Sequence, residues 1–298
     1  MRFHFLLPML TLAMSFALVS TAIAQQSETQ NQDTRMKIEV WSDVVCPFCY
    51  IGKTHFDEAL AQFADKENIE FVWKSFQLNP NLKTNLDQTL YEHLSVSKGI
   101  TVDQAKGMGV NAAQMGKASG LDLDFDKSVV ANSLNSHRLI HFAKENGLQL
   151  EMKNRLFQAF FTEGKNIDDN ETLLALATEI GLDATDVKAV LESDKYSEAV
   201  KLDIQESQQL GVQGVPFFVF DRKYAVSGAQ APEGFLETLE KDFGCCRITI
   251  FGGNNNHLFH ENTLHNYSFP FITDIEFWAM LNCVYSDILF RYQFSSII

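Results

Sequence analysis

Two cysteines, Cys46 and Cys49, are separated by Pro47 and Phe48 and stand where an apolar run gives way to an amphipathic one. At such a strand-to-helix junction we predict that Cys46 caps the helix and that Pro47 takes its first position, where a missing N–H costs nothing. The thiol of Cys46 then faces unpaired backbone N–H groups and the positive end of the helix dipole, which favour a thiolate. Cys49, one turn further on, is close enough to close a disulfide. The pair predicts a dithiol–disulfide redox centre, with Cys46 attacking and Cys49 resolving.

Zinc sites use the same Cys-x-x-Cys spacing, so the motif alone leaves a metal site as an alternative. A zinc site needs two more ligands, and the sequence has no second Cys-x-x-Cys and no histidine pair beside the motif before residue 245. The strand-to-helix context favours redox chemistry, which the two sulfur atoms perform themselves. We therefore expect neither a metal nor a cofactor.

Hydrophobic periodicity predicts the elements around the motif. Strands are predicted at 37–41, 69–76, 215–220 and 224–226, and helices at 54–63 and 234–243, the latter opened by Pro232. Between about 90 and 210 the pattern is helical, and its stripe of Leu156, Phe157, Phe160 and Phe161 is typical of core. The order strand, helix, strand, helical block, two strands, helix predicts an α/β protein, a thioredoxin fold with a large inserted helical domain.

A second motif, Gly214-Val215-Pro216, opens the third predicted strand, where a proline is tolerated because its missing N–H need not serve the ladder. In a thioredoxin fold this position faces the redox cysteines. We therefore predict a cis peptide bond between Val215 and Pro216 that presents the Val215 backbone to an incoming chain, although a trans turn proline is the commoner case.

Four further side chains are candidates for shaping the site. His137 either lines the groove and tunes the thiolate or is a packed helix histidine, which is the commoner situation. Asp43 either accepts a proton or caps the turn, and we favour the cap. Trp41 and Phe48 flank the motif and are expected to form an apolar rim for unfolded or peptide substrates, with strand core as the alternative for Trp41.

Composition limits the class of protein. The chain has 298 residues, a formal charge of −14 and five cysteines. The negative charge argues against a nucleic-acid partner. Arg2, the apolar run 5–19 and the Ala22-Ile23-Ala24 end fit a cleaved signal peptide, too short to span a bilayer. We expect export to the periplasm or outside the cell, where disulfides persist, and no stable membrane span in the mature protein.

The C-terminal part has a different composition. After Gly244 come Cys245-Cys246, three consecutive asparagines, many phenylalanines, Cys283 and no lysine, and no helix or strand period persists. We interpret residues 245–298 as an atypical tail from a frameshift or read-through, with an apolar docking module as the alternative. The predicted organisation is therefore signal peptide 1–24, flexible leader 25–36, first half of the thioredoxin fold 37–88, inserted helical domain 89–210, second half 211–244 and tail 245–298.

The run from Trp41 to Lys53 around Cys46-Pro47-Phe48-Cys49 resembles the active-site segment of the DsbA-like family, specifically its FrnE branch. Four more stretches agree with the family: 136–139, 156–164, 211–218 and 224–230. The resemblance implies thiol–disulfide oxidoreductase activity on protein or peptide thiols, or on glutathione. It assigns Cys46 as attacking thiol, Cys49 as resolving thiol and Val215-Pro216 as the cis-proline pair. The export signal favours the oxidase or isomerase direction.

Two other classes remain as alternatives. Kappa-type glutathione-dependent isomerases or transferases share the inserted fold, but they typically have serine where Cys46 stands. A thiol-based chaperone would bind clients without turnover and would keep that activity after loss of both cysteines.

Overall fold

A computed structural model describes residues 35–244 of the chain. The predicted signal peptide, most of the predicted leader and the predicted tail lie outside this range. The described part contains six strands and nine α-helices in this order: β1 (Met36–Ser42), α1 (Pro47–Gln62), β2 (Ile69–Ser75), β3 (Asn85–Thr89), α2 (Leu90–Lys98), α3 (Val102–Ala118), β4 (Val129–Val130), α4 (Leu134–Glu145), α5 (Gln149–Phe161), α6 (Asn170–Glu179), α7 (Ala184–Leu191), α8 (Ser197–Gln209), β5 (Phe217–Phe220), β6 (Tyr224–Ser227) and α9 (Pro232–Gly244).

A four-stranded sheet in the order β2-β1-β5-β6 forms the centre. β1 runs parallel to β2 and antiparallel to β5, and β6 is the hairpin partner of β5. Five of the seven residues of β1 are buried without interruption at its C-terminal end, as expected for a strand covered on both faces. Val40, for example, pairs with Trp73 on one side and Phe218 on the other.

Helices α1 and α9 pack on the sheet through an aromatic cluster. The ring of Phe56 on α1 lies 5.8 Å from the ring of Phe218 on β5 and 5.8 Å from that of Phe235 on α9. Phe218 and Phe235 are themselves 4.6 Å apart. Since aromatic pairs at these distances are favourable beyond their buried area, this cluster fixes the helix that carries both cysteines onto the sheet.

Helices α2 to α8 are inserted between β2 and β5. Local sequence accounts for several of their ends: Thr89 and Thr101 close capping boxes at the starts of α2 and α3, and the carboxylates of Asp169 and Asp183 cap α6 and α7. The stripe on α5 is buried, so its prediction as core is confirmed.

The insertion reaches the dithiol helix through α5. Phe157 stacks on Tyr50 of α1 with ring centroids 4.8 Å apart and meets Trp73 of β2 edge-on at 6.2 Å. A buried carboxylate on α8, that of Asp203, also joins the insertion to the sheet by accepting the backbone N–H of Ser75 at 2.8 Å. The helical domain is therefore part of the wall around the motif.

The predicted thioredoxin fold with an inserted helical domain is confirmed. Helix α1 begins at Pro47, as the motif predicts, and not at residue 54, where the hydrophobic periodicity begins. The main difference from the prediction is a small sheet of β3 and β4 that interrupts the helical region. β4 is only two residues long, too short for an alternating pattern to reveal. Among the described helices none is long and apolar enough to cross a membrane.

Candidate active site

The turn between β1 and α1 places both cysteines at the start of the helix. Cys46 is the N-cap, with φ −96° and ψ 110°, and Pro47 occupies the first helical position, as predicted. The backbone N–H of Cys46 donates to the Asp43 carbonyl at 3.3 Å, and that of Cys49 donates to the Cys46 carbonyl at 3.1 Å. The turn and the first helical residues thereby hold the two thiols on one side of the helix start.

Both cysteines are free thiols and both are buried. Cys46 retains 4% of its surface and Cys49 none, so Cys46 is the sulfur nearer to solvent. The Sγ of Cys46 donates to the Val215 carbonyl at 3.5 Å. The Val215–Pro216 peptide bond is cis, as the sequence predicts. The fold thus brings together two motifs that are far apart in the chain.

Gly52 allows this close approach between α1 and the proline segment. A Cβ at this position would lie 3.0 Å from Cγ of Pro216 and 3.3 Å from Cα of Ala229. Such contacts are tighter than nine in ten real Cβ contacts, so a side chain at this position would require Pro216 or Ala229 to shift by a few tenths of an ångström.

The two thiols have different surroundings. The hydrogen bond with Cys49 and burial raise the pKa of Cys46 well above its usual value. Burial also opposes ionisation of Cys49, but the hydrogen bond from Cys46, the positive charge of Lys153 and the Ser42 hydroxyl outweigh it and lower the pKa of Cys49. The contact between Cys46 Sγ and the Val215 carbonyl is one that the protonated thiol makes, and the thiolate expected on Cys46 stays a prediction.

Asp43 ties the cysteine turn to two other segments. Its Oδ2 accepts the backbone N–H of Leu78 at 2.7 Å, and its Oδ1 lies 3.3 Å from Nε2 of His137 on α4. Burial raises the pKa of Asp43, but the bonds from His137 and Leu78 outweigh this and lower it. Asp43 is therefore an ionised anchor of the turn, in agreement with the structural role that we favoured.

His137 is fully buried and its pKa is lowered because burial disfavours the charged ring. A neutral imidazole that donates its Nε2 hydrogen to Asp43 satisfies both groups. His137 consequently acts through Asp43 and is not exposed for contact with a substrate. This matches the packed, hydrogen-bonded alternative for His137 and corrects its assignment as a substrate-binding residue.

The predicted role of Trp41 in an apolar rim is wrong. Its side chain is fully buried, and its Nε1 donates to the Asp203 carbonyl at 2.9 Å. Trp41 is strand core and does not form an apolar rim. Phe48 is 41% exposed and Leu78 is 53% exposed, so these two side chains are the apolar surface next to the turn.

Lys153 and Ser42 were not among the residues that the sequence motifs indicate. Lys153 is almost fully buried on α5, and its Nζ donates to the Ser42 carbonyl at 3.3 Å. A signal existed: Lys153 stands three and four residues before Leu156 and Phe157, which places it on the apolar face of the helix. Within residues 35–244, no group of three His, Cys, Asp or Glu side chains is placed to hold a metal ion.

The fold and the reduced dithiol define the class: a thioredoxin-fold protein of the thiol–disulfide oxidoreductase type. Residues 37–240 match the family described as DSBA-like thioredoxin domain. The chain belongs to this DsbA-like family.

Individual relatives agree with the family. The uncharacterized protein YwbO of Bacillus subtilis (strain 168) is 30% identical over 209 residues, which cover 69% of this chain and 96% of YwbO. A probable DsbA oxidoreductase from Streptomyces coelicolor is 34% identical, with a TM-score of 0.67 over 75% of this chain and 99% of that one. The cytosolic disulfide reductase DsbM from Pseudomonas aeruginosa, solved with GSH, shares the fold at 17% identity, with a TM-score of 0.51 over 70% of this chain and 99% of its own.

Proposed function

We propose that the protein exchanges disulfides with protein or peptide thiols through the Cys46–Cys49 pair. The observation that carries this proposal is the position of both free cysteines at the start of α1, with Cys46 against the Val215 backbone. A helix start stabilises sulfur anions, which are the attacking and leaving groups of disulfide exchange.

In the oxidising direction, a substrate thiolate attacks Sγ of Cys46 in the Cys46–Cys49 disulfide. The bond between the two enzyme sulfurs breaks, and its electron pair leaves on Cys49. A second substrate thiolate then attacks the substrate sulfur of the mixed disulfide and releases Cys46, so two electrons pass to the enzyme. Cys46 is the attacked sulfur because it is nearer to solvent, whereas Cys49 is fully buried.

The surroundings suit a polypeptide substrate. The Val215 carbonyl lies 3.5 Å from Cys46 Sγ, so a chain joined to Cys46 passes along this backbone. The exposed side chains of Phe48 and Leu78 offer it an apolar surface. Because the solved DsbM structure holds GSH, glutathione is the small thiol to test as a second partner.

Replacement of each cysteine tests the assignment. In Cys49→Ser the resolving sulfur is absent, so we expect a substrate disulfide to trap a stable mixed disulfide on Cys46. Cys46→Ser should trap none and should lose exchange activity. Mass spectrometry of the adducts after incubation with a disulfide-containing peptide measures both. Trapping on Cys49 in the Cys46→Ser variant, at a rate equal to that of Cys49→Ser, would contradict the assigned roles.

The direction of electron flow is proposed to be oxidase or isomerase, because we infer export from the signal-peptide pattern of residues 1–24. Two measurements address this. The reduction potential against glutathione places the pair on a scale whose thioredoxin and DsbA ends differ by about 150 mV. The N-terminus of the mature protein, sequenced after cell fractionation, should begin at Gln25 outside the cytoplasm. A cytoplasmic protein with a thioredoxin-like potential would favour a reductase.

We also propose that the chain belongs to the FrnE branch of the family, on the residues from Trp41 to Lys53.

A further inference from the structure

His55 on α1 bridges two segments that are far apart in the chain. Its Nδ1 lies 2.7 Å from the Gln230 carbonyl, and its Nε2 lies 2.7 Å from the hydroxyl oxygen of Ser119, the C-cap of α3. Because a carbonyl oxygen only accepts, Nδ1 must carry the hydrogen of the first bond. In the neutral ring, Nε2 then accepts the Ser119 hydroxyl. His55 therefore joins the helix of the dithiol to the inserted helical domain and to the loop between β6 and α9.

The loop of residues 228–230 holds the segment that faces Cys46. The Gly228 N–H donates to the Pro216 carbonyl at 2.8 Å, next to the last β5–β6 residue pair. Within the loop, the Gln230 N–H donates to the Gly228 carbonyl at 3.0 Å. The residue before Pro216 presents its carbonyl to Cys46 Sγ at 3.5 Å. A chain of contacts thus runs from the His55 ring to the backbone beside the reactive sulfur.

Helix α1 contacts this loop at a second point, where residue 52 is glycine. A Cβ at Gly52 would lie 3.3 Å from Cα and 3.4 Å from Cβ of Ala229. Gly52 and His55 are three residues apart, so they lie on the same face of the helix. Close packing at Gly52 has no preferred direction, whereas a hydrogen bond has one. The His55 bond is therefore the contact that fixes the position of the loop along the helix.

We propose that His55 is a positioning residue for polypeptide substrates: it anchors the 228–230 loop and thereby holds the Val215 backbone in register for a chain that reacts at Cys46. This rests on the proposed function, because it concerns substrates of the Cys46–Cys49 pair. His55 acts through the loop and not by contact with the substrate. A small dithiol has no chain to lay along Val215, so its reaction does not need this register.

The experiment compares a polypeptide with a small dithiol. The oxidised full-length protein is mixed with a two-cysteine peptide or with dithiothreitol, each of which gives two electrons to the Cys46–Cys49 disulfide and releases two protons as its own disulfide forms. Samples are quenched with acid, alkylated and analysed by mass spectrometry. The two second-order rate constants are then obtained under the same conditions.

In His55→Ala we expect the rate constant for the peptide to fall roughly tenfold, since a misplacement of about 1 Å can cost about a hundredfold. The rate constant for dithiothreitol should be unchanged. This result would support the positioning role. Equal losses for the two dithiols, or no loss for the peptide, would overturn it.

Two further variants separate the hydrogen bond from general damage. The side-chain amide of His55→Asn can donate to the Gln230 carbonyl and should restore the rate with the peptide. His141 also joins the insertion to the sheet, but through Ser75 at 3.1 Å and Asp203 at 3.2 Å. His141→Ala should leave the ratio of the two rate constants unchanged. An asparagine variant as slow as His55→Ala, or a loss confined to the peptide in His141→Ala, would overturn the proposal.

A second measurement needs no variant. The tautomer of a neutral histidine is set by the hydrogen bonds of its ring, so the hydrogen of His55 should be on Nδ1. Nitrogen–proton correlation NMR of the histidine rings in alkaline solution identifies the protonated nitrogen. A hydrogen on Nε2 would mean that the bond to Gln230 is not formed, and it would overturn the proposal even if His55→Ala failed to fold.

The two proposals can fail separately. If the wild-type protein oxidises both dithiols and His55→Ala does so at the same rates, the role of His55 is wrong and the redox function stands. If the wild-type protein oxidises neither dithiol, the proposed function itself is wrong.

Discussion

Three ionisable side chains, Asp43, His137 and Lys153, lie buried around the cysteine pair. At neutral pH the lowered pKa values leave Asp43 ionised and His137 neutral, whereas Lys153, with a pKa of about 8, is mostly protonated. The neutral histidine satisfies the aspartate without adding charge, and the Lys153 amine donates to the Ser42 carbonyl. This arrangement favours the reduced thiolate, since a cation and hydrogen-bond donors stabilise a sulfur anion.

At the residue scale, we predict that Lys153→Met stabilises the folded protein against unfolding. The folded pKa of about 8 lies below the ordinary 10.5, so the unfolded chain binds this proton more tightly. Burial of the protonated amine therefore destabilises the fold fully below about pH 8, and this destabilisation disappears as the pH rises through 10.5. Lys153→Met should therefore raise the free energy of unfolding by about 3 kcal/mol at most near pH 7.

Denaturant unfolding of both reduced proteins at a series of pH values measures this gain. The difference in unfolding free energy should narrow above pH 8. A loss of stability in Lys153→Met, constant with pH, would show that the lysine contributes mainly through packing.

At the element scale, α8 is held to the sheet by Asp203. Its carboxylate contacts Lys74 on β2 at 2.5 Å and His141 on α4 at 3.2 Å, and also accepts the Ser75 N–H. Burial raises the pKa of Asp203, but the hydrogen bonds from His141, Lys74 and Ser75 outweigh burial, so that the pKa lies below 3.8. Asp203 therefore joins the helical insertion to the thioredoxin core, together with Glu206 of the same helix, which also pairs with Lys74 at 2.9 Å.

Asp203→Asn should be less stable than wild type by roughly 1–3 kcal/mol at pH 7, because charge-assisted hydrogen bonds to the buried carboxylate are lost, although Lys74 keeps its second partner, Glu206, at 2.9 Å. The folded pKa is depressed, so this stabilisation is present above pH 3.8 and is lost as the pH falls through the folded value. Thermal unfolding from neutral to acidic pH should show the two proteins converging in acid. A difference in stability between the two proteins that stayed constant with pH would show that the ionised carboxylate is not its source.

Two glycines on α3 provide a matched pair for helix packing. A Cβ at Gly107 meets nothing within 4 Å, whereas one at Gly116 would lie 2.6 Å from Cδ1 and 2.8 Å from Cγ of the buried Leu123. Gly107→Ala should stabilise the protein by about 0.5–1 kcal/mol through helix propensity. Gly116→Ala should lose this gain and cost about 1–3 kcal/mol through overpacking. The denaturant midpoints of the two variants measure this difference, and equal midpoints would contradict the predicted contact with Leu123.

At the scale of the whole molecule, the family match ends at residue 240 and both candidate redox cysteines lie within it. Cys245, Cys246 and Cys283 lie outside the described residues. Simultaneous replacement of these three cysteines by serine in the full chain should leave the exchange rate and the reduction potential unchanged. An insulin-reduction or peptide-oxidation assay tests this, and a loss of activity comparable to that of Cys46→Ser would implicate the C-terminal cysteines in the reaction.

Most of the fold follows from local pattern. The junction of an apolar strand with Cys46-Pro47 predicts the helix start, and the later Val215-Pro216 predicts the cis peptide bond, both of which the structure contains. The β3–β4 pair was not predictable, because β4 consists of two residues and the residues that pair with it lie about 40 to 45 positions earlier in the chain. A short strand is stabilised by its partner and leaves no periodic signal of its own.

By itself the sequence determined the order of the elements, the place of the two cysteines at a helix start and the apolar stripe of α5, because spacing and periodicity are local properties. Only the tertiary structure decided that Trp41 is core, that His137 binds Asp43, and that Lys153 lies buried against the Ser42 carbonyl. The electrostatics of each sulfur depend on the side chains that distant elements bring to it and on the water that they exclude, and neither is encoded in the residues next to Cys46 or Cys49.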